Sequence, residues 1–323
     1  MADRRSMTSE NHAFVLVCPC CNAPLEQITA DKLYCARDQR HFLRINGIWR
    51  FLTPEMGAYF EPFVSDYETI RRREGRGSDD PTYYQALPFE DKSAKHPSDW
   101  RFRAASFRTF MNIFFERLEN KYDRAMRILD LGAGNCWLSN RLSSRGHHLA
   151  AIDLAINAFD GLGAHVHYKT DYLSIQADFT QLPLQDNQVD LAIFNASFHY
   201  ATSYEETLGE TLRVLRHKGH VIILDTPVYQ EAASGQRMVK EREAFFKAQY
   251  GFPSNKLPSE NFLTFDRLES LSMHLGVGWQ LFKPDFGIRW QIQRFISRLR
   301  ARREPASFFL IVGSPDRNSI KTT

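Results

Sequence analysis

Several things are missing from this sequence, and each absence narrows what it can be. No apolar run approaches the roughly 18 residues a membrane span needs, and the polar opening Met1–Asn11 lacks the apolar stretch of a secretion signal. Together these predict a cytoplasmic protein. A large excess of one charge is also absent. Forty-one Lys and Arg face 38 Asp and Glu, leaving a net charge of +3, a mild balance that leans away from obligate nucleic-acid binding. There is no internal repeat and no low-complexity tract. Cysteine is scarce, at five residues, and a disulfide framework is unusual in a chain of this size without an export signal. What is present is core-forming material. A hydrophobic fraction of 43% and an aromatic fraction of 13% over 323 residues suit one catalytic domain of about 200 residues with smaller additions.

The chain reads as a loose tail at 1–13, a compact unit of short strands at 14–55, an irregular stretch and a helix at 56–125, and an α/β domain at 126–323. A helix is expected from Ser98 or Asp99 towards Tyr122, with Phe107, Phe110, Met111, Phe114, Phe115 and Leu118 at helical spacing. Strand and helix signals then alternate, which implies βαβ units and a parallel sheet. The expected strands are Met126–Leu131, Leu149–Asp153, Tyr172–Ala177, Val189–Phe194, His220–Leu224, Trp279–Asp285 and Ser307–Val312. An insertion at about 230–276 separates the fifth from the sixth.

Ile128-Leu-Asp-Leu-Gly-Ala-Gly-Asn135 lies where the first strand of that domain gives way to a helix. Gly132 and Gly134 allow a tight turn and close approach of the backbone to a ligand. Asp153 ends the next strand 19 residues after Gly134, where a carboxylate can accept from two ribose hydroxyls. Asp178 and Phe179 follow the third strand, placing an acceptor and a ring for an adenine. The third glycine of a dinucleotide fingerprint is missing, since Trp137 stands there, so NAD or FAD fits poorly.

The set Asp130-x-Gly132-x-Gly134, Asp153, Asp178, Asn195-Ala-Ser-Phe-His199 and Leu212-Arg-Val-Leu-Arg-His-Lys-Gly219 resembles the class I S-adenosylmethionine-dependent methyltransferases of the small-molecule type. The resemblance implies a Rossmann-like, seven-stranded, mostly parallel sheet with helices on both faces. It implies that Gly132, Gly134 and Asn135 pass beneath the methionine part of S-adenosylmethionine, with Asp130 near its amino group. Asp153 and Leu154 would meet the ribose, Asp178 and Phe179 the adenine, and Asn195 the far side. Cys136 stands where a glycine is frequent in the family, and Arg216-His-Lys-Gly219 replaces a usual Arg-Pro-Gly-Gly turn.

Four of the five cysteines fall in the 18 residues from Cys18 to Cys35. Cys18 and Cys21 form a Cys-x-x-Cys pair, and Cys35 follows 14 positions later. Tetrahedral zinc needs four ligands. His41 is the preferred fourth and Asp38, three residues after Cys35, the alternative; Cys20 is a spare. The region resembles small zinc-ribbon modules fused ahead of methyltransferases, which implies structural zinc.

Methyl transfer needs alignment and exclusion of water more than it needs acid–base groups. At the C-terminal sheet edge, where ligands bind in such folds, His199 and Tyr200 are the catalytic candidates, with Asn195 and Asp225 nearby. The acceptor pocket is expected to be walled by Tyr67–Arg71 and by the insertion, with Phe63, Phe245, Phe246 and Tyr250 as aromatic lining. The favoured partner is a small or medium organic acceptor. A ribosomal or transfer RNA gripped by the ribbon is the first rival, and a non-catalytic cofactor-binding partner protein the second. The basic amphipathic stretch Trp290–Arg303 is expected to pack its apolar face on the sheet.

Overall fold

The computed structural model describes residues 13–254, 256–287, 290, 303–315 and 321–322. The chain begins with four short strands, β1 (Glu26–Thr29), β2 (Lys32–Cys35), β3 (Arg40–Ile45) and β4 (Ile48–Arg50), paired as an antiparallel meander. Next come α1 (Pro54–Arg73), α2 (Pro81–Ala86) and α3 (Pro97–Phe110), the last running through a wide turn at Met111–Phe115 into α4 (Glu116–Lys121). The alternating part is β5 (Arg127–Leu131), α5 (Trp137–Ser143), β6 (His148–Asp153), β7 (Leu173–Gln176), β8 (Val189–Asn195), α6 (Tyr204–Val214) and β9 (Leu215–Leu224). After it stand β10 (Val228–Tyr229), α7 (Ala232–Tyr250), β11 (Leu263–Thr264), α8 (Phe265–Leu275), β12 (Gly278–Phe282), β13 (Leu310–Ser314) and β14 (Lys321–Thr322).

The seven expected strands lie side by side in the order β7-β6-β5-β8-β9-β13-β12. From β7 to β9 they are parallel, and β13 runs against both neighbours. β8 is buried at every position, as a strand covered on both faces must be. Its residues alternate between two cores: Ala192 and Phe194 join α6 and α8 on one face, while Leu191 and Ile193 join α3 and α5 on the other.

The sheet does not stop at seven strands. β4 pairs in parallel with β7, Ile48 opposite Ser174 and Arg50 opposite Gln176, so the N-terminal meander continues the same sheet, which among the described residues has twelve strands of mixed direction. The separate small module expected from the sequence is thus joined edge to edge. Val17 N–H also donates to Pro183 C=O at 3.1 Å, and Phe51 N–H to Gln176 C=O at 2.9 Å.

The second departure is α1, a 20-residue helix in a stretch expected to be irregular. Its start follows ordinary capping chemistry. Thr53 accepts from Met56 N–H, Pro54 fills the first helical position, Glu55 sits in the first turn and Arg71–Arg73 in the last. Of the basic stretch Trp290–Arg303, only Trp290 and Arg303 lie among the described residues; Trp290 packs 5.1 Å from the ring of Phe102 on α3. No helix among the described residues is long and apolar enough to cross a membrane.

Candidate functional site

A cleft opens at the C-terminal ends of β5, β6, β7 and β8, the edge where ligands bind in open α/β sheets. Gly132, Gly134, Asp153, Leu154, Asp178, Phe179, Tyr200 and Tyr67 line it.

The glycine turn is under steric demand. Gly132 has φ +78°, and a Cβ added there would come within 2.3 Å of the Ser197 Cβ. Ser197 in turn donates its hydroxyl to Leu131 C=O, which closes the strand end against the turn. Asp153 is fixed by backbone alone, because Gly134 N–H reaches Oδ2 and Ala155 N–H reaches Oδ1, each at 2.8 Å. Burial pushes its carboxyl up to about 6 despite those donors. Leu154 C=O accepts from Gln176 Nε2 at 2.9 Å, which ties this end of the cleft to the strand that pairs with β4. Burial also raises the Asp178 carboxyl, against the Thr180 hydroxyl that donates to it. Phe179 stands edge-on to Phe194 at 5.6 Å.

Three of the expected cofactor residues sit behind this lining. Asp130 is 1% exposed and takes both Ser139 N–H and its hydroxyl, at 3.1 and 2.8 Å. It therefore pins the first turn of α5, and burial lifts its carboxyl to about 7. Asn135 donates from Nδ2 to Asp160 at 3.3 Å, and Asn195 is buried at the end of β8, opposite Leu224. None of the three is among the residues lining the cleft.

The sequence reading expected Phe63 and Tyr67–Arg71 as a wall of the pocket but missed Asp160 and the helical form of that wall. Asp160 lines the cleft and pairs with Arg71 from α1. The same helix is anchored by Glu68 to Asn157 at 2.8 Å and by Arg72 over the Phe159 ring at 4.3 Å. Phe60, Phe63, Val64 and Tyr67 then form one wall, with Phe63 and Tyr67 5.9 and 6.4 Å from the ring of Tyr200. Threonine, proline and glutamate at 53–55 were the signal that could have found this helix. The insertion contributes differently from expectation. Leu257 reaches the cleft, whereas Phe245, Phe246 and Tyr250 do not line it; Phe245 is 59% exposed.

His199 departs from its expected role. It is buried and outside the cleft lining, with Nδ1 3.5 Å from the Thr226 hydroxyl. Burial, helped by Arg242 and Arg103, pushes its imidazole down to about 3, so it stays neutral at ordinary pH. Its ring packs 4.3 Å from that of Tyr200, which does line the cleft.

At the N-terminus the Sγ atoms of Cys18, Cys21 and Cys35 and a carboxylate oxygen of Asp38 all lie within 4.8 Å of one another. Cys18 Sγ donates to Asp38 Oδ2 at 3.0 Å, and Cys21 and Cys35 sulfurs are 3.6 Å apart. His41, the preferred fourth ligand, is outside the cluster. The alternation of β3 buries Phe42 and turns His41 outward, beside Tyr34 across the strand pair at 4.7 Å. Asp38 sits in the turn before β3 and keeps the three-residue spacing from Cys35. Burial and Asp38 push the Cys18 thiol up; a cation among these ligands would reverse that, because it favours thiolate.

Comparison with known proteins falls on the same segment. Residues 129–223 match the family described as methyltransferase domain. The chain is 31% identical over 111 residues to a malonyl-(acyl-carrier protein) O-methyltransferase of Buchnera aphidicola, covering 34% of this chain and 43% of that protein. It is 30% identical over 100 residues to a demethylmenaquinone methyltransferase of Clavibacter sepedonicus, covering 31% and 40%. The chain thus spans less than half the length of these curated relatives. A solved SAM-dependent methyltransferase from Aquifex aeolicus aligns over 73% of this chain and 99% of its own, at 15% identity and a TM-score of 0.42.

Proposed function

We propose that this protein is an S-adenosylmethionine-dependent methyltransferase acting on a small or medium organic acceptor. The observation that carries the reading is Asp153, a carboxylate on the cleft wall with each oxygen held by a backbone N–H, one of them from the glycine turn. Such a group is set in place before any ligand arrives, and its remaining lone pairs suit a vicinal diol. Gly132 and Gly134 leave room beneath the amino-acid part, Asp178 and Phe179 offer an acceptor and a ring for adenine, and Asp160 with Arg71 offers charges at the other end. S-adenosylmethionine, when bound, supplies an electrophilic methyl group. The protein's own work is to hold the acceptor in line and to keep water out, for which the α1 wall and Tyr200 are suited. The two relatives act on different acceptors by name, so they support methyl transfer without choosing the acceptor. Calorimetric titration of the purified protein with S-adenosylhomocysteine tests the reading, with one site per chain expected. Absence of binding would sink it.

The cluster of Cys18, Cys21, Cys35 and Asp38 is assigned to structural zinc. Its support is the donor set, three sulfurs and one oxygen close enough to share one small cation. Elemental analysis of protein purified without chelator should find close to one zinc per chain. Metal-free protein with reduced thiols would mean that the ribbon holds no ion.

A further inference from the structure

The side chains that α1 contributes to the cleft are uncharged. Phe60, Phe63, Val64 and Tyr67 line it at the spacing of one helical face. Tyr200, from the segment after β8, and Leu257, from the insertion, line it too. The rings of Phe63, Tyr67 and Tyr200 stand within 6.4 Å of one another. Desolvation pushes the Tyr67 phenol above its usual range, so it remains a neutral hydroxyl. None of these six residues is assigned to the cofactor.

The carboxylates of the cleft wall belong to Asp153, Asp160 and Asp178, and among the described residues no Lys, Arg or His lines it. Arg71 pairs with Asp160, stands 3.7 Å from Glu74 as well, and has its guanidinium 5.4 Å from the centre of the Tyr67 ring. It is therefore engaged on three sides. An anionic acceptor would give up its hydration against apolar walls, find no cation there and face carboxylates. A cationic acceptor meets a different obstacle. Arg71 already answers Asp160 and occupies the Tyr67 ring, so a second cation at that ring meets like charge. Asp153 and Asp178 are held by hydrogen bonds and face the ribose and adenine.

We propose that Phe60, Phe63, Val64, Tyr67, Tyr200 and Leu257 form the acceptor subsite of this cleft, and that it selects an uncharged acceptor with a flat apolar body, such as a phenol or an aromatic amine. The inference rests on the methyltransferase reading and names the acceptor class for it. Selection has two parts. The three rings and the two aliphatic side chains reward apolar area, and rings reward a flat shape most. The acids on the wall, with no cation beside them, turn away carboxylates and phosphates. The phenol hydroxyls of Tyr67 and Tyr200 can donate to or accept from a neutral polar group without bringing charge to it.

The test uses full-length protein saturated with S-adenosylhomocysteine and three probes of one shape: 2-naphthol, 2-naphthoate and protonated 2-naphthylmethylamine. Saturation-transfer NMR at pH 7.5 reads their affinities. The wild type should bind 2-naphthol about tenfold more tightly than either charged probe. Phe63→Ala should weaken 2-naphthol by about fivefold or more. Val64→Lys sets a cation in the same wall, and should bring 2-naphthoate to within about twofold of 2-naphthol. Leu257→Lys repeats that test from the insertion should Val64→Lys fail to fold, with S-adenosylhomocysteine binding by calorimetry reporting the fold of each variant. A charged probe that binds the wild type as tightly as 2-naphthol, no binding of 2-naphthol, full affinity in Phe63→Ala, or a charge preference unmoved in the folded lysine variants would overturn the proposal while leaving the methyltransferase reading intact. Failure of the wild type to bind S-adenosylhomocysteine would remove both.

Discussion

Asp153 and Asp225 close two strands of one sheet on the same edge, and burial lifts both carboxyls to about 6, yet they are held in opposite ways. Backbone N–H groups from nearby turns take both oxygens of Asp153. Asp225 has one oxygen taken by a side chain 119 residues away and the other taken by nothing. The difference separates a carboxylate held by its own sequence neighbourhood from one held by a distant helix.

The contrast is broken most severely at Gly132. Gly132→Ala drives a methyl group into Ser197 and forces an L-residue to φ +78°, a combined cost of about 3 kcal/mol. S-adenosylhomocysteine binding should fall by two orders of magnitude or more in calorimetry, because the turn that holds Asp153 must move. An affinity within tenfold of wild type would show that the turn is not part of the ligand frame.

Asp153→Ala comes next. It should weaken S-adenosylhomocysteine by about 2 kcal/mol through unmatched ribose hydroxyls. Unchanged affinity would reassign the carboxylate to structure.

The backbone frame around Asp153 continues into the N-terminal meander, since β4 pairs with β7 and Gln176 bonds Leu154. Cys35→Ser should remove the metal and loosen that edge, costing about 1 kcal/mol in S-adenosylhomocysteine binding. Zinc by elemental analysis and the cofactor affinity check this, and an unchanged cofactor affinity in metal-free Cys35→Ser would uncouple the meander from the cleft.

How much of this was legible follows the same division. The central strands, the glycine turn and the acids at 153 and 178 could be read because each depends on neighbours in sequence: alternation, a turn, a strand end. His199 looked catalytic by position, but α3 and α7 bring Arg103 and Arg242 near it, and no local pattern announces that. His41 against Asp38 turned on which residue falls inside β3, a matter of one strand boundary. Helix α1 was missed although Thr53, Pro54 and Glu55 announce its start, and it runs on through Pro62. The ribbon's pairing with β7 is long-range, and nothing in either strand specifies its partner.

The smallest effect separates the two carboxylates by its size. A carboxyl whose pKa in the folded state lies above its unfolded value stabilises the fold only while it is protonated. That contribution is complete below about pH 4 and is lost as pH rises through about 6. Wild type should therefore lose stability across that window relative to Asp225→Asn, which has no charge to bury. The loss is on the order of 2 kcal/mol from the shift alone. The asparagine amide, itself short of a partner, gives back part of the gain, so Asp225→Asn should be more stable than wild type by about 1 kcal/mol or less at pH 8. At pH 4 the difference should vanish or reverse. Asp153, lifted to the same value, titrates with the same sign, but Asp153→Asn also leaves two backbone N–H groups facing an amide able to accept only one of them, so it should gain less than Asp225→Asn at pH 8 and fall below wild type at pH 4. Urea unfolding at pH 4, 6 and 8 reads all three proteins. If Asp153→Asn gains as much as Asp225→Asn at pH 8, the two acids are not held differently in solution.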